Sequence, residues 1–161
     1  SETDFIISSP NCHGFIWPVP SSTTITSYFG YRRAPTSGSS TYHSGVDIAA
    51  NVGSPLVAVI SGRITDTGFR GAGGYTITLQ NDIYTISYCH VSPLFTVSVG
   101  DFVSQGEHIG SVGPKNVYGV INNPYRDSNG NPTNGATTGP HLHFTLKINN
   151  QAVNPLDYLS F

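Results

Sequence analysis

Turn-forming residues interrupt this chain so often that only short segments of regular structure fit between them. Its 161 residues include 18 glycines and 11 prolines, and the intervening segments are rich in Val, Ile, Thr, Tyr and Phe, which favour strands. No window carries a sustained 3.6-residue apolar period, so no amphipathic helix is expected. The segments that we interpret as strands are 24–28, 46–49, 56–60, 62–67, 75–79, 85–90, 95–99, 108–112 and 141–148.

These short strands predict an all-β domain, either an antiparallel β-sandwich or a flattened barrel. Residues 56–60 (LVAVI) form a nearly continuous apolar run, which is typical of a strand buried on both faces. Two regions are irregular: an N-terminal arm, residues 1–14, and a long loop, residues 114–138, which is rich in Asn, Gly and Pro. We therefore expect one domain, residues 15–161, whose long loop is functional or mobile.

Composition and charge argue against several kinds of partner. Charged residues make up only 10% of the chain and the formal net charge is −2, which gives no support to nucleic-acid binding. No apolar run approaches the roughly 20 residues that cross a bilayer, and the start SETDFIISSP does not resemble a signal peptide. Because the chain contains no Met, we expect it to be a processed product or part of a longer polypeptide with further domains.

The two cysteines, Cys12 and Cys89, leave two interpretations open. They would pair in an oxidising compartment, but two cysteines far apart in sequence do not establish a disulfide. We expect Cys89 to be an unpaired residue of the core.

Two histidines stand one residue apart in TTGPHLHFTL, in a chain that has only six. Alternate residues of a strand point to the same face, so His141 and His143 would project into one cleft. His90 ends the segment 85–90, a position from which its side chain can also enter a cleft. We interpret His13 and His108 as structural or surface residues.

A second cluster lies in YHSGVDIAA, where His43 and Asp47 are four residues apart. In a straight strand their Cα atoms would lie roughly 13 Å apart, at about 3.3 Å per residue. Ligands of one zinc ion lie only about 2.0–2.2 Å from it, so the chain must bend at Ser44–Gly45, where glycine makes a bend cheap. The spacing is compatible with a shared metal only in a turn that leads into a strand.

Taken together, these residues predict a zinc site. His43, Asp47 and one of His141 and His143 form the set of two histidines and one carboxylate that catalytic zinc sites use, with a fourth position left for water. His90 and the remaining histidine of the pair are then available as general acids or bases. Each motif alone arises easily by chance, and a lone histidine in a β-protein is usually structural.

The motifs HSGVD and TGPHLHF occur together with WPVP, ITSYFGYR, VGSPLVAVISGRI, YCHVS, VSVGDFVSQGEHIGSVG and NPLDYL. From residue 17 to residue 159 the chain therefore resembles the lysostaphin/LytM-type zinc endopeptidases, which cut peptidoglycan cross-links. The resemblance implies a β-fold with a narrow groove and one zinc ion at its floor. It also implies a division of roles, with His43, Asp47 and His143 as metal ligands and His90 and His141 as catalytic residues.

The same resemblance implies a partner and a location. The substrate would be bacterial peptidoglycan, cut in its peptide stems or cross-bridges, and the protein would act outside the cell, at the cell wall or as part of a phage tail. Glycyl–glycyl, D-alanyl–glycyl and D-alanyl–diaminopimelate bonds all remain open. The alternative is a non-catalytic module of the same fold that binds zinc and the cell wall or serves as a scaffold. The five intact site residues favour the enzyme.

Three departures from the family pattern matter. Many members carry Asn in a GxGN step where this chain has Gly74, so a contact made by that Asn would be missing or supplied elsewhere. Some members use a tyrosine near the site, for which Tyr31 and Tyr42 are candidates. Finally, residues 114–138 replace a short turn. They form either a groove wall that tunes specificity, a loop without such a role, or a contact to another virion or wall protein.

Overall fold

The computed structural model describes residues 14–31 and 42–160, which form short strands and two 3-10 turns but no α-helix. The 3-10 turns are Gly71–Gly73 and Pro155–Asp157. The strands are β1 (Phe15–Ile16), β2 (Ile25–Ser27), β3 (Gly30–Tyr31), β4 (Tyr42–His43), β5 (Val46–Ala49), β6 (Pro55–Val57), β7 (Gly62–Phe69), β8 (Tyr75–Asn81), β9 (Tyr84–Cys89), β10 (Phe102–Val103), β11 (His108–Ser111), β12 (His141–Ile148), β13 (Gln151–Val153) and β14 (Leu159–Ser160).

One antiparallel sheet organises the described chain. Its strand order is β10-β7-β8-β9-β12-β5-β2, and β13 also pairs with β12. Three two-stranded pairs surround it, of which β11–β6 and β3–β4 are antiparallel and β1–β14 is parallel. The prediction of an all-β, antiparallel architecture is therefore confirmed.

The core covers one face of this sheet and leaves the other face open. On β12, Leu142, Phe144 and Leu146 are fully buried, whereas the alternate residues are partly buried or exposed. The fully buried Tyr88 on β9 packs edge-to-face on Phe144. Because apolar and polar side chains alternate in this way, a single strand supplies both the core and the open face.

The segment 56–60 is buried as predicted, but only part of it is a strand. Leu56, Ala58 and Val59 are fully buried, yet β6 ends at Val57. The Tyr88 hydroxyl accepts a hydrogen bond from the Val59 amide at 3.0 Å and donates one to the Val57 carbonyl at 2.9 Å. This side chain therefore provides hydrogen bonds that a neighbouring strand would otherwise have to supply.

The predicted strand 95–99 is wrong, because those residues form irregular bends that lead into a turn at residue 99. The Asp101 carboxylate accepts a hydrogen bond from the Ser98 amide, and the Asp101 amide donates one to the Ser98 carbonyl. These hydrogen bonds join residues of the same turn, so the groups they use are not available to pair with a neighbouring strand. Segments 46–49 and 141–148 have the predicted bounds, and the strands that the sequence missed are only two or three residues long.

Three earlier predictions fall wholly or partly on residues outside those described. The arm 1–14 and the pairing partner Cys12 belong to this group, and so does His13. Within residues 14–31 and 42–160, no helix is long and apolar enough to cross a membrane.

Candidate active site

The register of β12 with β5 brings the two sequence clusters together. His143 lies directly opposite Asp47, and His141 lies opposite Ala49. Both histidines line the same groove on the open face of the sheet. The prediction that they share one face is therefore confirmed.

The bend predicted within HSGVD is present between β4 and β5. Ser44 and Gly45 form this bend, and it brings His43 Nε2 to 3.2 Å from Asp47 Oδ1. A Cβ atom at Gly45 would overlap the backbone carbonyl of Phe144. Glycine is thus needed here because β12 passes too close for any side chain.

Three donor atoms form a compact triangle at the floor of the groove. His143 Nδ1 lies 2.8 Å from Asp47 Oδ1 and 3.0 Å from His43 Nε2, and the third side of the triangle is the 3.2 Å already given. Ligand atoms of a tetrahedral zinc ion lie about 3.3 Å from one another when each bond is about 2.0–2.1 Å. The triangle therefore fits a zinc ion with little movement, and these three residues form a group that could hold a metal.

The protonation of the triangle also suits a cation. His43 Nδ1 lies 3.0 Å from the Tyr28 carbonyl, which can only accept, so we assign the proton to Nδ1 and leave a lone pair on Nε2. Burial, the largest influence, raises the pKa of Asp47, but the adjacent His143 and His43 side chains outweigh it and hold that pKa well below its usual range. Once any proton between these atoms is released, a carboxylate and imidazole lone pairs converge, as a divalent metal requires.

His141 stands beside this triangle without being part of it. Its Nδ1 donates to the Gly139 carbonyl at 2.9 Å and lies 3.3 Å from Thr137 Oγ1. Its Nε2 lies 3.7 Å from Asp47 Oδ1. With the proton on Nδ1, the Nε2 lone pair of His141 faces the triangle of His43, Asp47 and His143, called the metal group below.

His90 enters the groove through an unusual backbone conformation. In a continued strand it would share the face of Tyr88, which lies in the core. Instead β9 ends at Cys89, and His90 has a φ of 62°. Its ring centroid lies 4.7 Å from that of His141. The prediction that His90 can reach a cleft from the strand end is confirmed, but the face it occupies depends on this left-handed residue.

The His90 ring is buried and held from behind by the long loop. Burial, together with the neighbouring His141, lowers the pKa of His90 to about 3, so the ring is neutral at physiological pH. His90 Nδ1 lies 2.6 Å from the backbone carbonyl of Asn134 and donates to it. The Nε2 atom of His90 is then the acceptor. The sequence did not single out Asn134. The one related signal was the glycine at position 74, where a contact made by Asn in many family members is either missing or supplied elsewhere.

The groove around these residues has a volume of about 540 Å³. Small, uncharged side chains form much of its lining, and a paired Asp66 and Arg70 stand at its exposed side, 2.7 Å apart. Tyr42 lines it as well, whereas the side chain of Tyr31 is outside those described. Cys89 also lines the groove as a buried free thiol, which agrees with its predicted unpaired state.

The long loop reaches the groove only at its end. Ala136 lines the groove and also a second cavity of about 670 Å³, which is formed by the loop itself. Thr137, which contacts the His141 ring, lines that second cavity too. The two cavities are therefore neighbours across residues 136–137. His108 is exposed on β11, away from this region, in keeping with its interpretation as a surface residue.

Comparison with known proteins adds two independent findings. The model of peptidase family M23 matches residues 41–155 of the chain. The DD-carboxypeptidase/endopeptidase Mpg of Neisseria meningitidis is 36% identical over 136 residues, which make up 83% of this chain and 26% of Mpg. The chain thus spans about a quarter of the length of that relative.

Solved structures agree with these matches. A zinc-containing peptidase from Vibrio cholerae superimposes with a TM-score of 0.69 at 26% identity, over 89% of this chain and 39% of that one. The catalytic domain of the antimicrobial peptidase lysostaphin from Staphylococcus simulans superimposes with a TM-score of 0.64 at 28% identity, over 83% of this chain and 89% of that one. The lysostaphin-type fold expected from the motifs is confirmed.

Proposed function

The chain belongs to peptidase family M23, a family of zinc metallopeptidases, and on that premise we propose that it cuts peptide bonds in the stems or cross-bridges of bacterial peptidoglycan. One observation carries this proposal. The donor triangle of His43, Asp47 and His143 lies in a single groove with two further histidines whose Nε2 atoms are free to accept a proton.

The three residues of the triangle would hold the zinc ion. When bound there, zinc would supply Lewis-acid chemistry, polarising the scissile carbonyl and making water acidic enough to attack near neutral pH. Binding would replace any proton shared among the three donor atoms, so the site takes up metal more tightly as pH rises. The Tyr28 carbonyl keeps the His43 ring oriented for this task.

His141 and His90 are the residues that we propose to move protons. The Nε2 atom of His141 would take a proton from the attacking water, and the imidazolium formed would return a proton to the leaving amine. While charged, that imidazolium also stabilises the oxyanion. His90, which is neutral and faces His141 across the groove, would accept a hydrogen bond from the same water and help to orient it.

The lining of the groove supports a peptide of small residues as substrate. Thr76, Thr78 and Ser87 offer hydroxyl groups, while Ala72 and Gly73 leave room close to the metal group. Alanine and glycine, which are common in peptidoglycan stems and bridges, would fit against such a surface, and hydroxyls would bond their backbone amides. The name of the relative Mpg, a DD-carboxypeptidase/endopeptidase, points in the same direction.

The proposed substrate also sets where the protein would act. Peptidoglycan lies outside the cytoplasmic membrane, so we place the activity outside the cell, at the cell wall, or in a phage tail lysin. We further propose that the second cavity, next to the groove at Ala136, holds substrate on one side of the scissile bond. The long loop would in this way tune which bond is cut.

Digestion of purified cell walls tests the proposal. Zinc-loaded protein should release fragments with new amino groups, and mass spectrometry of walls with glycyl bridges and with direct diaminopimelate links would identify the bond. The matched control is the His141→Ala protein, which should release none. Absence of new amino groups from every wall type, with wall binding retained, would contradict the enzyme and favour a non-catalytic binding module.

A further inference from the structure

The end of the long loop sends one fully buried polar side chain against the sheet. Asn134 has no exposed surface, although it belongs to a loop whose tip is largely exposed. Burying an amide is unfavourable unless its donors and acceptors are satisfied. The partners of Asn134 therefore show what its position achieves.

Both ends of the Asn134 side chain bond to backbone next to His90. Its Oδ1 accepts from the Tyr75 amide at 2.7 Å, and its Nδ2 donates to the Val91 carbonyl at 3.0 Å. Val91 follows His90 directly, and its amide in turn donates to the Tyr75 carbonyl at 3.0 Å. The side chain thus fastens the loop to the two chain segments that flank the histidine.

The Asn134 backbone carbonyl then makes the contact with the imidazole. It accepts from His90 Nδ1 at 2.6 Å, and the Asn134 amide donates to Lys115 at the start of the same loop. This contact fixes the ring orientation and places the proton on Nδ1, so that Nε2 faces the groove. The side chain holds the carbonyl, and the carbonyl holds the ring.

The adjoining Gly74 is matched to this arrangement. Its φ of 63° and ψ of −148° belong to a region that is essentially restricted to glycine. A Cβ atom at Gly74 would overlap both the backbone oxygen and Oδ1 of Asn134. Asn134 therefore occupies the space that a side chain at position 74 would need.

His90 needs such external support because its own backbone is strained. A non-glycine residue with positive φ is strained and persists only where its neighbours impose that conformation. The His90 amide donates to Gly73, and its carbonyl accepts from Gly113. These bonds hold the backbone, but neither of them orients the ring.

We infer that Asn134 is a positioning residue for His90, so that the loop 114–138 completes the active site rather than merely bordering it. The inference rests on the proposed function, since it assumes that His90 takes part in peptide hydrolysis. Asn134 acts only through the ring that its carbonyl holds.

Asn134→Ala tests the inference, with Asn123→Ala as matched control. Asn123 is another buried asparagine of the same loop, and within the described part of the chain its side chain bonds to Thr133 and Tyr125, both in the loop. Steady-state kinetics on a peptide released from cell walls, at a temperature where both zinc-loaded proteins are folded, should show kcat reduced at least about 10-fold for Asn134→Ala. KM and zinc content should stay within about twofold, and Asn123→Ala should keep its kcat.

Equal losses of kcat in the two variants would overturn the inference, and so would full kcat in Asn134→Ala. If Asn134→Ala does not fold, Asn134→Ser carries the same test, because its hydroxyl can reach only one of the two backbone partners. Its kcat should also fall at constant zinc content, and an unchanged kcat would contradict us.

His90→Ala separates this inference from the function on which it rests. An inactive wild-type protein would refute the proposed function and the inference together. An active wild type with an inactive His90→Ala protein, but fully active Asn134 variants, would refute the inference alone. Full activity of His90→Ala would also refute it, because there would be no role for Asn134 to support.

Discussion

Two different kinds of structure position the site residues: paired strands position the metal group, and an irregular loop positions the ring of His90. The three proposed metal ligands lie on or beside paired strands, where the ladder between β12 and β5 sets His143 opposite Asp47. His90 is held by an irregular loop that has only isolated bridges, at Asn116–Thr133 and Arg126–Pro132. In a β-ladder many backbone hydrogen bonds fix the position of each residue, whereas the position of the loop depends on a few side-chain contacts.

The loop is nevertheless as tightly packed as the sheet where it meets the site. Thr133 and Asn134 are almost or fully inaccessible, and the Ala136 amide donates to the Ala72 carbonyl at 2.8 Å. Irregular backbone can therefore position a side chain as well as a strand can, provided its polar groups are satisfied. The difference should show when single residues are changed.

The largest effect is expected on the sheet side, from Asp47→Asn. The variant removes the only negative charge among the three donors, so zinc should no longer be retained. Activity should fall by more than about 100-fold, which is more than the usual effect of removing a residue that only hydrogen-bonds to a metal ligand. Asp66→Asn is the control, because Asp66 lines the same groove but is bonded to Arg70. Zinc content by mass spectrometry and wall lysis would be measured on both, and a zinc-bound Asp47→Asn protein would contradict the assignment.

On the loop side, Gly135→Ala should have the next largest effect. Gly119 and Gly135 both have positive φ, 84° and 79°, so alanine at either costs about 1–2 kcal/mol of backbone strain. Only at Gly135 would the new Cβ overlap the Ala72 carbonyl and the Gly74 amide. We expect Gly135→Ala to lose about 10-fold in kcat, with zinc retained, and Gly119→Ala to lose stability alone. Equal kcat in the two variants would mean that docking of the loop end does not matter.

Tyr88→Phe should destabilise the sheet without affecting the chemistry. The hydroxyl satisfies the Val59 amide and the Val57 carbonyl in the core, and its loss leaves both groups unpaired at a cost of about 1–3 kcal/mol. Urea unfolding would measure this loss, while kcat per folded molecule should stay unchanged. A lower kcat in the folded variant would show that the ladder alone does not fix the site.

The smallest effect concerns Cys89, whose thiol lies in the groove lining. Burial raises the pKa of Cys89 to about 11, so at pH 8 the folded protein should hold about one hundredth of the thiolate expected for a pKa of 9. In a Cys12→Ser background, a thiol reagent should therefore react slowly until urea unfolds the chain. Because the pKa of the thiol is higher in the folded state than in the unfolded state, the free energy of unfolding should decrease as pH rises from about 9 to 11. Rapid labelling of folded protein at pH 8 would contradict the burial of the thiol.

The sequence predicted the sheet side of the site well, for a physical reason. Strand alternation is a local property, so the shared face of His141 and His143 followed from their spacing alone. The bend between His43 and Asp47 was predicted because their side chains could not reach one metal ion from a straight strand, and because a glycine lies between them. The family resemblance then assigned His143 to the metal, which stays a prediction, and His143 is one of the three residues that could hold a metal ion.

The loop side could not be predicted in the same way. Alternation along β9 would place His90 with Tyr88 in the core, and only its positive φ turns the ring into the groove. Its support comes from Asn134, 44 residues away, through contacts that leave no periodic pattern in the sequence. The wrong strand at 95–99 has a similar origin, since side-chain bonds at Ser98 and Asp101 override a local strand preference.

The central claim is the division of roles between two histidines on one strand face, and metal content together with activity in two single variants tests it most directly. We predict that His143→Ala loses both zinc and activity. His141→Ala should retain one zinc ion per chain and lose about 100-fold to 10,000-fold in kcat, the usual contribution of a general base. Zinc loss in a folded His141→Ala protein, or full activity with zinc bound, would contradict the account.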